Sequence, residues 1–484
     1  MSKILASILS NRYILLLAII YSSIILVFSP VNLPIGDDAK YAELASNLVS
    51  NGHYQSNFES DASTLPFYPV LLAASLLAFN GLYMKFLPFM IAFFLILTTF
   101  FLALEMTENR KTAYITALIT LTIPLIIFNS MRILTDVTFL LFLLLSMLFY
   151  FKLQKKRNTK NALFLGIFLG IACLTRFIGI FIPIIIILHA LFLCPKKPMI
   201  PLKYILLFLI VAAVVYSPWL FWKINLGSFS EPEIVNAAFS TDLQGHFVLL
   251  IETLSSTVRD LSTNIISIDV AIPFQVVHLA RILVILLILI SPVISFVVLY
   301  QLYKFISKRT SLEYFLFLWF FVFVIFHIFY PASLASRFLL PVVFPMVLLS
   351  SLFIINHTHR KKLIALFIIL HILLVSGSLA LDSHVRWSKL QTTAFADTGA
   401  WLETHTPPNS VILPLGVPAT SINFYGQRRT VTLESNTSAD FVIFSNFALT
   451  ETAFNQIVEE RAWELSELKT FSDNKYTVTL YKLE

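Results

Sequence analysis

Long apolar runs recur through the first 380 residues and constrain the fold more than any other feature. About 20 apolar residues cross the hydrocarbon core of a bilayer, and helices satisfy their own backbone hydrogen bonds there. Hydrophobic residues make up 58% of the chain and charged residues 13%, whereas a soluble domain has about half and about a quarter. We therefore predict a polytopic all-α membrane protein with about 11–13 transmembrane helices. The apolar runs lie at 13–28, 83–104, 112–130, 133–151, 162–175, 177–194, 203–222, 278–302, 313–330, 337–355 and 363–381.

The lysine and arginine residues orient these spans. They concentrate in short loops between apolar runs, and loops of this kind face the cytoplasm. The alternate loops then lie outside, and two of them, 31–64 and 223–277, are long. Membrane orientation thus accounts for the net charge of +7, and we expect no nucleic acid among the partners. The basic loops contain Arg110–Lys111, Lys152–Lys160, Lys196–Lys203, Lys304–Arg309 and Arg360–Lys362.

One apolar run does not fit this orientation. Leu65–Phe79 is too short for an untilted span and begins with Leu-Pro. If it crossed the bilayer, every later basic loop would face outside. We expect a partly embedded or re-entrant segment at 65–80.

The C-terminal residues 383–484 differ from the membrane part, 1–382. Charges return, apolar runs shorten, and Pro and Gly punctuate the sequence. An odd number of spans places this part outside, so we predict a small soluble α/β extracytoplasmic domain after a transmembrane domain. The predicted helices are Arg386–His405 and one near 450–465, and the predicted strands are Ser410–Leu415, Thr430–Leu433, Phe441–Ser445 and Tyr476–Leu483.

Two adjacent acids follow the first span, in the first outside loop. Asp37 or Asp38 can cap a helix that begins there. The apolar residues that follow recur at helical spacing, which predicts a helix at the membrane surface. The alternative is an interfacial helix whose acids are merely solvated. The apolar stripe consists of Tyr41, Leu44, Ala45 and Leu48.

Further ionisable residues lie at the predicted outer ends of spans. Asp136 and Arg132 lie between two apolar runs, and Arg176 and Arg337 each precede another. Charges at membrane depth are costly and are candidates for function, although a single one can simply extend to the interface. Several acids and arginines on one face favour a functional site.

Five segments in order resemble the GT-C superfamily of polyprenyl-phosphate-sugar-dependent glycosyltransferases. The resemblance covers most of residues 1–350, and the chain is most similar to protein O-mannosyltransferases and lipid A aminoarabinose transferases. One departure is Thr64-Leu65-Pro66, where several relatives have Lys-Pro-Pro or His-Pro-Pro. The segments are Asp37–Ala45, Leu65–Pro69, Arg132–Asp136, Gly170–Arg176 and Arg337–Pro341.

The resemblance implies roles for these residues. Asp37 matches the presumed general base, Asp38 its neighbour and Asp136 a second family acid. Arginine binds phosphate through a fork of N–H groups, so the arginines are candidates for the donor phosphate. The resemblance leaves a divalent cation open. The phosphate candidates are Arg176, Arg337 and Arg132, and the other substrate-binding candidates are Lys40, Tyr41 and Tyr68.

The expected reaction is sugar transfer, with inversion, from a polyprenyl-phosphate donor to a lipid, glycan or protein acceptor. It would take place on the extracytoplasmic face of the cell (inner or plasma) membrane. A multi-span transporter or lipid-linked sugar flippase is the alternative, and internal repeats would favour it. A membrane assembly protein with a sensory tail is a third class, but it would not explain the cluster of acids and arginines.

Overall fold

The structure is a computed structural model of the 484-residue chain. It divides into two compact units, which are described separately. The first comprises Met1–Ile25, Phe89–Ser130 and Thr135–Asp382, and the second Leu26–Pro88, Met131–Leu134 and Ser383–Glu484. The residues described are 12–28, 36–57, 59–61, 63–79, 83–192, 200–225, 279–280, 282–283, 285–305, 310–329, 336–357, 370–371, 373, 393–433, 438–446, 449–473 and 476–484.

Helices make up most of the described chain. Short 3-10 turns at Phe177–Ile180 and Ser336–Leu339 and a π-helical turn at Leu286–Ile290 precede three of them. The α-helices are α1 Arg12–Phe28, α2 Asp37–Ser50, α3 Phe67–Phe79, α4 Tyr83–Thr107, α5 Arg110–Thr122, α6 Pro124–Ser130, α7 Thr135–Lys155, α8 Thr159–Thr175, α9 Phe181–Phe192, α10 Leu202–Asn225, α11 Pro292–Phe305, α12 Ser311–Phe329, α13 Leu340–Asn356, α14 Ala394–His405, α15 Ala419–Gly426 and α16 Glu451–Arg461.

Five helices in the described part of the chain are long and apolar enough to cross a membrane, or six if one bent pair counts as a span. Shorter apolar helices, among them Ile14–Ser23 and Thr159–Thr175, coincide with other predicted runs. The predicted span at 363–381 lies almost entirely outside the described residues. The five long helices are Phe86–Thr107, Thr135–Lys155, Leu202–Asn225, Ser311–Phe329 and Arg337–Asn356.

The run at 112–130, predicted as one span, is two helices. α5 and α6 meet at Ile123 with a bend of 66°. Pro124 causes the break, because proline lacks a backbone N–H and forces the preceding residue out of the helical region. Ile123 accordingly has φ −73° and ψ 116°.

Close backbone contact in the first unit requires small residues on α8. A Cβ atom at Gly166 would lie 2.6 Å from the carbonyl oxygen of Phe208, and one at Gly170 would lie 2.6 Å from the Cβ of Val215. The four-residue spacing places both glycines on one face of α8, against α10. Small residues at this spacing let membrane helices approach closely.

The second unit contains a mixed five-stranded sheet in the order β4-β3-β5-β7-β6. β3 pairs in parallel with β4 and β5, while β7 pairs antiparallel with β5 and β6. A separate two-stranded hairpin, β1 with β2, lies in the loop 31–64, which the sequence predicts to be outside. The strands are β1 Gln55–Ser56, β2 Glu59–Ser60, β3 Val411–Leu415, β4 Arg429–Thr430, β5 Phe441–Ser445, β6 Leu465–Ser472 and β7 Thr477–Leu483.

The sheet confirms the predicted α/β C-terminal region, with two elements that the sequence did not predict. Strands β3, β5 and β7 lie where predicted, and the described part of the predicted helix at Arg386–His405 is α14. The predicted strand at Thr430–Leu433 is shorter and shifted, at Arg429–Thr430. Helix α15 and the charged edge strand β6 were not predicted. The segment predicted to be re-entrant, 65–80, contains α3 and belongs to the second unit.

Candidate functional site

The two acids Asp37 and Asp38 begin helix α2 rather than cap it. Gly36 is the N-cap, with φ 63°, a conformation that favours glycine, and the helix has no side-chain cap. The prediction that Asp37 or Asp38 caps this helix is therefore wrong. Both acids lie in its first turn, where the helix macrodipole stabilises negative charge.

Asp37 and Asp38 differ sharply in environment. Asp37 is exposed, whereas Asp38 is buried at 7% exposure. The Arg132 Nε donates to Asp38 Oδ2 at 3.0 Å. Asp38 and Arg132 both belong to the second unit, which contains Leu26–Pro88 and Met131–Leu134. The structure thus joins two predicted residues, Asp38 and Arg132, in an ion pair, and Asp37 is the more exposed of the two acids.

Lys40 pairs with an acid that the sequence analysis did not identify. Its Nζ lies 2.9 Å from Asp61 Oδ2. Asp61 is largely buried and also accepts hydrogen bonds from the backbone and hydroxyl groups of Ser63 and Thr64. Burial opposes ionisation, but the charge of Lys40 and these hydrogen bonds lower the pKa of Asp61. These contacts form a turn at residues 61–64, and the sequence pattern Asp-x-Ser-Thr shortly before a proline is typical of such a turn.

Glu43, also missed, fastens the β1–β2 hairpin to α2. Its carboxylate accepts from the Ser56 hydroxyl at 2.9 Å and from the Asn57 N–H at 2.8 Å. Burial raises the pKa of Glu43 above its ordinary value, although these hydrogen bonds and the charge of Lys40 oppose the shift. Glu43 therefore has a structural role in ordering the loop.

The aromatic candidates Tyr41 and Tyr68 lie together. Their rings meet edge to face, with centroids 5.5 Å apart. Tyr41 is half-buried and Tyr68 fully buried on α3. Leu44 and Ala45 of the predicted stripe are also buried. The helical stripe of α2 thus packs within the second unit.

The second group of predicted residues lies in the first unit, around Asp136. Asp136 is in the first turn of α7, with a side chain only 3% exposed. The Arg176 Nη1 donates to its Oδ1. The Arg337 Nε lies 3.6 Å from its Oδ2. One buried carboxylate therefore orients two arginines, Arg176 at the C-terminus of α8 and Arg337 in the turn before α13.

Phe338 completes this cluster, and sequence reasoning missed it. Its ring centroid lies 4.5 Å from the Arg176 guanidinium carbon and 5.6 Å from that of Arg337. The backbone is fixed as well, since His327 Nε2 lies 2.9 Å from the Phe338 carbonyl oxygen. Aromatic faces attract guanidinium groups and restrict their motion. Its position beside Arg337 was the only signal in the sequence.

The nine predicted site residues therefore fall into two groups, one in each unit. Within the described ranges, no cluster of three His, Cys, Asp or Glu side chains that could hold a metal ion occurs. Asp38 is already paired with Arg132. The first group contains Asp37, Asp38, Lys40, Tyr41, Tyr68 and Arg132, and the second contains Asp136, Arg176 and Arg337.

Comparisons with known proteins match this architecture. The family model of dolichyl-phosphate-mannose-protein mannosyltransferase matches residues 68–200. The fold is similar to ArnT from Cupriavidus metallidurans bound to undecaprenyl phosphate, with a TM-score of 0.65, 12% identity and 97% of each chain covered. It is also similar to Archaeoglobus fulgidus oligosaccharyltransferase in complex with Zn and sulfate, with a TM-score of 0.61 and 15% identity. That match covers 86% of this chain and 62% of the other, which is less than two thirds of its length. No curated protein sequence matches.

The family model matches part of the chain, and the fold is similar to those of these solved structures. The resemblance found in the sequence, the membrane class and the class of enzyme are thereby confirmed.

Proposed function

We propose that the chain transfers a sugar from a polyprenyl-phosphate donor to a hydroxyl group of a lipid, glycan or protein acceptor. The observation that carries the proposal is the pair of arginines held by the buried Asp136. It lies in a chain whose fold is similar to a protein bound to undecaprenyl phosphate. This reaction accounts for an arginine cluster at the ends of apolar helices, where a lipid-borne phosphate would be located.

Arg176 and Arg337 are the proposed ligands of the donor phosphate. A guanidinium has about five N–H donors, so one arginine can bind a carboxylate and a phosphate at the same time. The cluster contains two arginines and one carboxyl group, so the positive groups are in excess. Their charge attracts the phosphate and stabilises it as it leaves. Asp136 and Phe338 act in this proposal as positioning residues.

Asp37 is the proposed general base because it is the exposed member of the acidic pair. It takes the proton of the acceptor hydroxyl as that oxygen attacks the anomeric carbon. The bond between this carbon and the phosphate oxygen breaks, and its electron pair leaves with the polyprenyl phosphate. A single displacement inverts the anomeric configuration. Asp38, bound to Arg132, holds the first turn of α2 in place.

The remaining candidates divide by their contacts. Tyr41, half-buried beside the acids, remains a proposed substrate contact. Lys40 is engaged by Asp61, which favours a role in ordering residues 61–64. Tyr68 is fully buried against Tyr41 and supports it.

The proposed location of the site is the extracytoplasmic face of the plasma membrane, as the basic loops predict. Alkaline phosphatase, which is active only outside the cytoplasm, should be active when fused after Glu484. Green fluorescent protein fused at the same point should be dark if exported unfolded. The opposite pair of results would reject the proposed sidedness.

The reaction itself is tested with purified protein and undecaprenyl phosphate carrying radiolabelled mannose, glucose, galactose or 4-amino-arabinose. Membranes of the source organism supply the acceptor. We expect one of these donors to release undecaprenyl phosphate, with the label moving to the acceptor fraction. The variant with both Arg176→Ala and Arg337→Ala should not do so. Equal release by this variant and the wild type would reject the proposed donor site.

A further inference from the structure

The C-terminal domain contacts the residue that precedes the proposed base. The Thr420 hydroxyl donates to the Gly36 carbonyl oxygen at 2.8 Å. The Gly36 N–H donates to the Ser421 hydroxyl oxygen at 3.3 Å. The same carbonyl accepts the first helical hydrogen bond of α2, from the Lys40 N–H at 3.1 Å. Both backbone groups of Gly36 are thus held by consecutive residues of α15.

A second contact holds the loop that follows α2. The Asn57 side chain pairs with Thr430 of β4 in both directions, accepting from its N–H at 2.8 Å and donating to its carbonyl oxygen at 3.0 Å. The Asn57 backbone is bound in turn to Glu43, in the middle of α2. The C-terminal domain therefore forms hydrogen bonds at the start of α2 and is linked to its centre through Asn57.

Thr420 and Ser421 lie on a helix that packs into the core of that domain. Ile422, one residue beyond Ser421, is fully buried and packs in one cluster with Phe395, Leu402 and Ile412. Ser421 itself is fully buried. A buried, packed element transmits its position to whatever it binds, because close-packed interiors deform little.

We propose that Thr420 and Ser421 are positioning residues for Asp37, and that the C-terminal domain thereby sets the direction of the base. The inference rests on the proposed role of Asp37. Gly36 has the φ of 63° that glycine adopts freely, so its own backbone restrains Asp37 weakly. The two hydrogen bonds between Gly36 and α15 add a restraint at this position.

The test separates positioning from general stability through matched substitutions. Thr420→Val removes the hydroxyl with little change in shape, whereas Thr420→Ser retains it. Thr450→Val serves as the control, because Thr450 caps α16 of the same domain through the Ala453 N–H at 3.3 Å. Loss of such a cap destabilises a domain by about 1 kcal/mol without a change in the contacts of Gly36.

Two readouts are compared in the full-length protein. The first is hydrogen exchange at the hydrogen-bonded amides of Gly36 and Lys40, which requires no substrate. The second is kcat and KM with the undecaprenyl-phosphate-linked sugar that the wild type uses from the panel above. We expect Thr420→Val to raise exchange in the first turn of α2 and to lower kcat roughly 10-fold with KM nearly unchanged, since small misplacements of a catalytic group are costly. Thr420→Ser and Thr450→Val should retain wild-type exchange and kcat.

Each contrary result has its own meaning. Unchanged exchange in Thr420→Val would show that the Thr420 hydrogen bond does not restrain α2, and would overturn the inference. Raised exchange with normal kcat, in a protein whose Asp37→Asn variant is inactive, would overturn positioning while leaving the base in place. An equal loss of kcat in Thr450→Val would assign the effect to stability and overturn the inference. Normal kcat in Asp37→Asn would reject the proposed base instead. The exchange data would still show whether the C-terminal domain restrains the start of α2.

Discussion

Arg337→Ala should weaken the binding of undecaprenyl phosphate without unfolding the protein. A hydrogen bond to a charged group contributes about 1.5–3 kcal/mol, and about 1.4 kcal/mol is tenfold in affinity. The dissociation constant should therefore rise roughly 10- to 100-fold. Stability should change little, because the buried Asp136 keeps Arg176 as its partner. Arg337→Lys should recover only part of the affinity, since lysine lacks the fork.

Arg176→Ala provides the informative contrast. Among the described residues, it leaves Asp136 with Arg337 as its ion-pair partner, with Nε 3.6 Å from Oδ2. Breaking a buried ion pair costs about 3–5 kcal/mol, and the partial exposure of both arginines reduces this to roughly 2 kcal/mol. Arg176→Ala should thus lose both affinity and thermal stability.

The assay is binding of undecaprenyl phosphate to purified protein in lipid nanodiscs, with undecaprenol as the matched ligand without phosphate. Lys155→Ala is the control, because Lys155 is an ion-paired cation of the same unit at another location. Its affinity should equal that of the wild type. Unchanged affinity in Arg337→Ala, or equal binding of undecaprenol by the wild type, would refute the assignment of Arg337 to the phosphate.

Three further predictions concern stability, each measured as thermal or denaturant unfolding of purified protein. The raised pKa of Glu43 makes the folded wild type lose stability as the pH rises from the ordinary value of 4.5 through that pKa. Glu43→Gln does not titrate and should therefore gain stability relative to the wild type over this pH range. A difference in stability that does not change with pH would contradict this. Gly170→Leu should cost about 1–3 kcal/mol, since a Cβ there would lie 2.6 Å from Val215, and an unchanged unfolding temperature would contradict the packing. Arg428→Ala should cost about 2–4 kcal/mol, because the buried Arg428 donates to carbonyl groups at the end of α14; wild-type stability would contradict that role.

Features with strong local patterns were predictable from the sequence. The apolar runs identified the membrane class, since few other structures tolerate so many of them. Strand β5, Phe441–Ser445, was predicted with its observed bounds because aromatic and β-branched residues dominate it. Strand β6 was not, since it is a charged and largely exposed edge strand.

The site was predictable as a set of residues but not as pairs. Charged residues at span ends stand out because burying them in a membrane is costly. Which acid pairs with which arginine depends on tertiary packing: Asp38 and Arg132 are 94 positions apart. Asn57 and Thr430 are 373 positions apart, and no local pattern indicates that the loop 31–64 and the C-terminal region belong to one compact unit. The pairing of Asp61 with Lys40 likewise depends on tertiary packing, although the turn at Asp61 has a local sequence pattern.

The central claim, that Asp37 is the general base of a sugar transfer, is tested most directly by Asp37→Asn. The change keeps the size of an exposed side chain, so folding should be unaffected. Initial rates of transfer from the undecaprenyl-phosphate-linked sugar are compared at equal protein amounts, with Asp38→Asn alongside. We predict a loss of about 10²–10⁴-fold for Asp37→Asn, as is typical when a general base is removed, and a smaller loss for Asp38→Asn. A rate near that of the wild type for Asp37→Asn would contradict the account.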